Sequence, residues 1–151
     1  MYKPLVSNRL ILEKIESFRP YLLKLHVRLK QENLTTLMIG TLFVRESLLG
    51  WPEISYNILP EYRCQGYATE ALSTFLQGWW STDRKDKELY VHISTLDHKF
   101  LNELNNIVYH YPPGLNFVPR VQEHLIAIVQ EEKTASQKVL AKVGFKVSSC
   151  C

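Results

Sequence analysis

Arg63-Cys64-Gln65-Gly66-Tyr67-Ala68 joins a short β-type run to an amphipathic helical pattern. A turn of that kind aims its own N–H groups and those of the helix N-terminus at one place, and such a place attracts phosphate or pyrophosphate. Gly66 permits close backbone approach, small Ala68 keeps the first helical turn clear, and Arg63 can add a charge-assisted contact. Taken alone, the six residues are also what a plain strand-to-helix turn requires. No metal chemistry accompanies them, because no Cys/His spacing suits a zinc site and the three cysteines, Cys64, Cys150 and Cys151, give no disulfide framework.

The elements that must hold this turn are legible from periodicity. Arg9 to Ile15 is a short β-type run, and Leu22 to Gln31 alternates apolar Leu23, Leu25, Val27 and Leu29 with polar residues, the period of a strand with one buried face. Leu37 to Arg45 and Ile54 to Leu59 follow after short connections, so the strands form an antiparallel meander. The period then changes: Ala68, Ala71, Leu72, Phe75, Leu76 and Trp79 make the stripe of a helix that packs on the sheet.

After Ser81 the stretch from about Asp83 to Arg120 reads as an insertion, within which Asp97 caps a helix carrying Phe100, Leu101, Leu104, Ile107 and Val108. Leu125 to Val129 is a continuous apolar run, as expected of a strand buried on both faces beside a parallel neighbour. Thr134-Ala-Ser-Gln137 reads as a capping box opening a helix that ends near Val143, with Gly144 at positive φ and Phe145 to Val147 beginning a further strand.

With 151 residues and 46% hydrophobic content, one domain over residues 1–151 is the expected organisation. The balance of 18 basic and 15 acidic residues, with no long basic run, argues against a nucleic-acid partner. The longest apolar stretch is too short to span a bilayer and the N-terminal residues lack a signal-like core, so the expectation is a cytoplasmic protein without a membrane role.

Two segments carry a family resemblance. Glu53-Ile-Ser-Tyr56 through Pro60-Glu-Tyr-Arg63-Cys-Gln-Gly66-Tyr-Ala-Thr-Glu-Ala71-Leu72 resembles the acetyl-CoA-binding motif of the GNAT N-acetyltransferase superfamily. Thr134-Ala-Ser136-Gln-Lys-Val-Leu140-Ala-Lys142-Val-Gly144-Phe145 resembles the superfamily's second motif, in the branch that acetylates ribosomal-protein N-termini.

The resemblance implies an α/β fold of the α+β kind: a mixed, mostly antiparallel sheet flanked by helices. It also implies direct acetyl transfer from acetyl-CoA to a primary amine of a peptide N-terminus, a lysine or a small molecule. The strand ending at Leu59 and the strand at Leu125 to Val129 would then splay, with pantetheine pairing in the cleft as an added strand. Ile58 and Leu59 would hold pantetheine and the thioester carbonyl; Arg63, Cys64, Gln65, Gly66, Tyr67, Ala68 and Thr69 would hold the pyrophosphate; Ser136 would reach the cofactor or simply serve its capping segment. Glu53 is the expected base for the attacking amine, against the plainer reading of an exposed Glu at a strand end. Tyr56 and His124 are weaker substitutes.

The chain also departs from the resemblance. Cys64 stands where the family usually has Gly, tolerable if φ stays negative. Gln65 replaces a usual basic residue, Lys133 a usual Asn, and Leu140 the tyrosine that many members use as general acid. The N-terminal helical region, squeezed into about Glu16 to Tyr21, is shortened, and the C-terminal strand is incomplete, which leaves a sheet edge open to homodimerisation. A catalytically impaired module that binds CoA or another protein is therefore the rival expectation.

Overall fold

The computed structural model describes residues 3–15, 21–82, 96, 98–99, 101–102 and 123–147. Five strands form one antiparallel sheet in sequence order: β1 (Leu5–Val6), β2 (Leu10–Ile15), β3 (Tyr21–Lys30), β4 (Thr36–Glu46) and β5 (Pro52–Ile58). A single 3-10 turn, Pro60–Tyr62, leads from β5 to helix α1 (Tyr67–Ser81), and a second helix, α2, spans Thr134–Lys142. None of the described helices is long and apolar enough to cross a membrane.

The period-two strands fold as their pattern requires. On β3, Leu25 and Val27 are buried while Lys24, His26 and Arg28 lie on the other face, and the same inward face collects Leu10, Leu12, Leu42, Val44, Ile54 and Ile58. Helix α1 closes this layer with Ala71, Leu72 and Phe75, and α2 adds Leu140. Each large apolar side chain so buried contributes roughly 1.5–3 kcal/mol against the chain's conformational entropy. On β4, Ile39 is an extra residue, since Val27 pairs with Gly40 but Arg28 with Met38. This bulge increases the local twist next to β5.

Four expectations change. The two-residue strand β1 carries too little periodicity to be read in advance, and it forms by pairing Leu5 with Leu12 and Val6 with Ile11. Leu125 to Val129 is not a ladder strand: its β pairing is one parallel bridge, Ile126 with Glu53, and Ile128 is exposed. The capping box does not close, because no side chain caps α2 and the Gln137 amide instead donates to the carbonyls of Gln130 and Glu131. Phe145 to Val147 extends no strand, although Gly144 does take the expected positive φ, +98°. Residues 98–99 and 101–102 are helical within the anticipated Asp97 helix, whose remainder, like most of the 83–120 insertion and the 16–20 connection, lies outside the described residues.

Candidate functional site

The edge of β5 sets the geometry. Leu59 N–H donates to Ile39 C=O at 2.8 Å, which makes 53/45, 55/43 and 57/41 the hydrogen-bonded pairs of β4 and β5. The backbone groups of Ile54, Tyr56 and Ile58 therefore face the opposite edge. There Ile54 N–H donates to Ile126 C=O at 2.8 Å and Ile126 N–H to Pro52 C=O at 2.9 Å. No second bridge follows among the described residues, so the two backbones meet at Glu53/Ile126 and come apart toward Ile58. The result is a wedge whose β5 wall exposes the Tyr56 backbone and the Ile58 N–H to pairing.

Of the two residues expected to hold an extended ligand, Leu59 has already committed its N–H to Ile39, and the Ile58 carbonyl accepts from Arg63 Nε at 2.8 Å. Arg63 Nη2 also reaches Asn57 Oδ1 at 3.5 Å. Arg63 thus lies across the mouth of the wedge, between the strand edge and the turn.

The turn itself is built from two left-handed residues, Cys64 (φ +60°) and Gly66 (φ +81°). Left-handed residues in a tight turn can bring successive N–H groups toward one concavity, a recurrent anion-binding device. Glu70 N–H, bonded to Gly66 C=O at 3.0 Å, begins the helical ladder, and Gly66 provides no side-chain cap. The N–H groups of Tyr67, Ala68 and Thr69 consequently point out of the helix end with its positive partial charge. Gln65 is exposed and braces the turn by donating from its side chain to Glu61 C=O at 3.1 Å. Ser136 is half-buried in the first turn of α2, which packs against α1.

At Cys64 the condition under which a side chain is easily tolerated, a negative φ, is not met, since φ is +60°. A non-glycine residue in the left-handed region is strained, so Cys64→Gly should stabilise the fold by roughly 0.5–1 kcal/mol after allowing for the more flexible unfolded chain. Thermal unfolding of the two proteins measures this as a rise of about 2–3 °C.

Glu53 is not the exposed strand-end residue of the plainer reading. It is 5% exposed, at the closed end of the wedge, with Oε1 held by Arg45 Nη2 at 2.9 Å. Tyr56 carries a buried hydroxyl that has no hydrogen-bond partner among the described residues. His124 stacks on buried Trp51 with centroids 4.9 Å apart, a packing role that accounts for its place beside the strand.

Sequence reasoning missed Arg9, whose side chain comes to the turn from the β1–β2 connection. Its Nε and Nη2 contact Glu70 Oε2 at 2.7 and 2.6 Å, its backbone N–H donates to Glu70 Oε1 at 3.0 Å, and its Nη1 donates to Gln65 C=O at 3.3 Å. The guanidinium also lies 4.5 Å from the centre of the Tyr67 ring. An Arg before a strand carries no local signal of a partner 61 residues away. Among the described residues no cluster of His, Cys, Asp or Glu is arranged to hold a metal ion.

Against this geometry, comparison with known proteins is informative. Residues 8–146 match the family model of the acetyltransferase (GNAT) domain. No curated protein sequence matches the chain. Among solved structures, the fold is similar to the acetyltransferase (GNAT family) from Bacillus anthracis, with a TM-score of 0.53 and 17% identity over 95% of this chain and 84% of that one.

Proposed function

The chain belongs to the acetyltransferase (GNAT) domain family, and on that premise we propose that it transfers an acetyl group from acetyl-CoA directly to a primary amine. The observation that carries the reading is that, among the described residues, β5 meets the segment at Ile126 in one bridge at Glu53, beyond which the β5 edge has no described partner and runs to the N-terminus of α1, which no side chain caps. An extended arm can pair with that edge as an added strand while its pyrophosphate rests on the turn. The wedge is closed at Glu53, so an arm anchored at Arg63 to Thr69 enters from the Ile58 end and brings its reactive end toward Tyr56 and Glu53.

In this reading Ile58 N–H and the Tyr56 backbone pair with the pantetheine amides, and the N–H groups of Gly66 to Thr69 take the pyrophosphate. Arg63 releases Ile58 C=O to the arm and turns its charge to the phosphates. The amine attacks the thioester carbon, and Glu53 accepts the proton that the nitrogen must lose, directly or through one water. The carbon–sulfur bond then breaks with its electron pair going to sulfur. A thiolate leaves without obligatory help because a thiol is already acidic, near pKa 8.5. Buried Leu140 offers no proton, whereas the Tyr56 hydroxyl, without a partner among the described residues, is a donor on the strand that carries the arm. The acceptor is a peptide N-terminus, a lysine or a small amine, to be assigned by an acceptor panel.

Binding comes first. Titrated to about a hundredfold over its dissociation constant, acetyl-CoA should stabilise the chain by about 2.7 kcal/mol, and desulfo-CoA should do nearly as well. Arg63→Ala should weaken both by about tenfold or more, the loss of one charge-assisted contact. A folded chain indifferent to both ligands would refute the proposed site.

A further inference from the structure

We propose that Arg9 is a positioning residue of the phosphate turn, neutralising the Glu70 carboxylate that would otherwise face the bound anion and bracing Gln65 to Tyr67 in their anion-binding conformation. The proposal rests on the reading of Arg63 to Thr69 as a pyrophosphate site and adds what that site requires of a distant part of the chain.

Glu70 sits in the first turn of α1. A carboxylate there suits the empty helix, whose N-terminal N–H groups are electron-poor, but it competes with any phosphate drawn to the same end. Nothing in the turn itself cancels that charge, because Gln65 is neutral and Arg63 is taken by Ile58 and Asn57 before binding and by the phosphates after it. Arg9 cancels it from outside: the guanidinium edge bearing Nε and Nη2 closes on Oε2 at 2.7 and 2.6 Å, while its backbone N–H at 3.0 Å and Ser7 Oγ at 2.7 Å hold Oε1.

Burial works to raise the Glu70 pKa, but hydrogen bonds from Ser7 and from the Arg9 backbone and side chain, with the Arg9 charge, outweigh it and hold Glu70 below its ordinary value. The carboxylate is therefore ionised throughout the neutral range, so the charge needing compensation is permanent. The same guanidinium spends its remaining capacity on the turn, donating to Gln65 C=O at 3.3 Å and stacking over Tyr67 at 4.5 Å. A Cβ placed on Gly66 would lie 3.5 Å from Arg9 Nη2, so the cation stands beside the very residue whose backbone must approach a phosphate.

A double-mutant cycle in acetyl-CoA affinity tests this: wild type, Arg9→Gln, Glu70→Gln and the double variant, by calorimetry at low and high salt. Arg9→Gln should weaken binding by about tenfold, because it uncovers one charge at the helix end. Glu70→Gln alone, which leaves the Arg9 charge uncovered beside the anion, should strengthen binding, and the double variant should recover most of the loss. The deficit should shrink as salt rises. In steady state the change should appear in KM for acetyl-CoA and not in kcat, and KM for S-acetylpantetheine, which lacks the pyrophosphate, should not move. Arg9→Lys, which keeps the charge and loses the fork, should fall between wild type and Arg9→Gln, and it serves in its place if Arg9→Gln does not fold.

Affinity unchanged in Arg9→Gln, or a loss that Glu70→Gln fails to rescue, would overturn the proposal and leave the pair as a tie between β2 and α1. If wild type itself binds no acetyl-CoA, the pyrophosphate reading fails first and this proposal with it.

Discussion

Glu53→Gln is expected to lower acetyl-transfer turnover by about 10²–10⁴-fold, the usual contribution of a positioned general base, while acetyl-CoA affinity stays at its wild-type value. The substitution isolates basicity from shape. Gln keeps the length of Glu and can still accept from Arg45 with its amide oxygen, so the contact at 2.9 Å need not be lost. Arg45 is itself 51% exposed at its side chain, and water can solvate whatever charge the lost carboxylate leaves uncompensated. The stability cost should accordingly stay at about 1 kcal/mol, the net worth of a hydrogen bond that the neutral side chain keeps only in weakened form. Single-turnover acetyl transfer with bound acetyl-CoA separates the outcomes. A fall in the chemical step with binding and melting temperature retained assigns the proton to Glu53. Unchanged turnover would remove Glu53 from the mechanism, and a parallel fall of turnover and melting temperature would mean that the carboxylate serves to hold Arg45.

The parts of this site that sequence revealed are those encoded locally. The period-two runs gave β3 and β4 nearly to their ends, and the three-and-four stripe from Ala68 to Trp79 gave α1, because one buried face per element suffices to write each pattern. The parts that stayed hidden depend on what lies across the fold. An apolar run such as Leu125 to Val129 reports burial and is silent on pairing, so a single bridge at Ile126 and a full strand look alike in it. Glu53 follows Pro52 in a stretch where alternation alone marks an outward residue, yet it is buried and ion-paired with Arg45, its cross-strand neighbour. Cys64 occupies a position where the backbone takes positive φ although a side chain disfavours it, so the residue type left open a conformation that the surrounding turn decides. Arg9 and Glu70 meet only because β2 lies beside the first turn of α1, a fact of tertiary structure.

The same dependence of the site on packing across strands underlies the largest expected effect on the fold. Gly40→Ala should destabilise the chain by about 2–3 kcal/mol, the upper range for overpacking a well-filled interior, and should also abolish acetyl-CoA binding under conditions where the variant is still folded. Gly40 lies opposite Ile58, and a Cβ there would overlap the Asn57 carbonyl oxygen and come within 2.8 Å of Ile58 Cδ1 and 3.2 Å of Ile58 Cα. A rotamer change can move the Ile58 methyl, but the Asn57 carbonyl is backbone. It can retreat only by shifting β5 away from β4, against the Leu59 N–H bond to Ile39 and the Thr41/Asn57 pair. Such a shift moves the Ile58 backbone, which is the mouth of the wedge, and carries Arg63 and the turn with it. Gly144→Ala provides the contrast. Its φ of +98° makes any side chain costly, by about 1–2 kcal/mol, but a Cβ there meets nothing within 4 Å and no wall of the wedge need move. Denaturant melts paired with acetyl-CoA titration should therefore show two destabilised proteins, one that has lost the ligand and one that has kept it. Equal retention of binding in both would mean that the β4–β5 spacing at Gly40 does not shape the site.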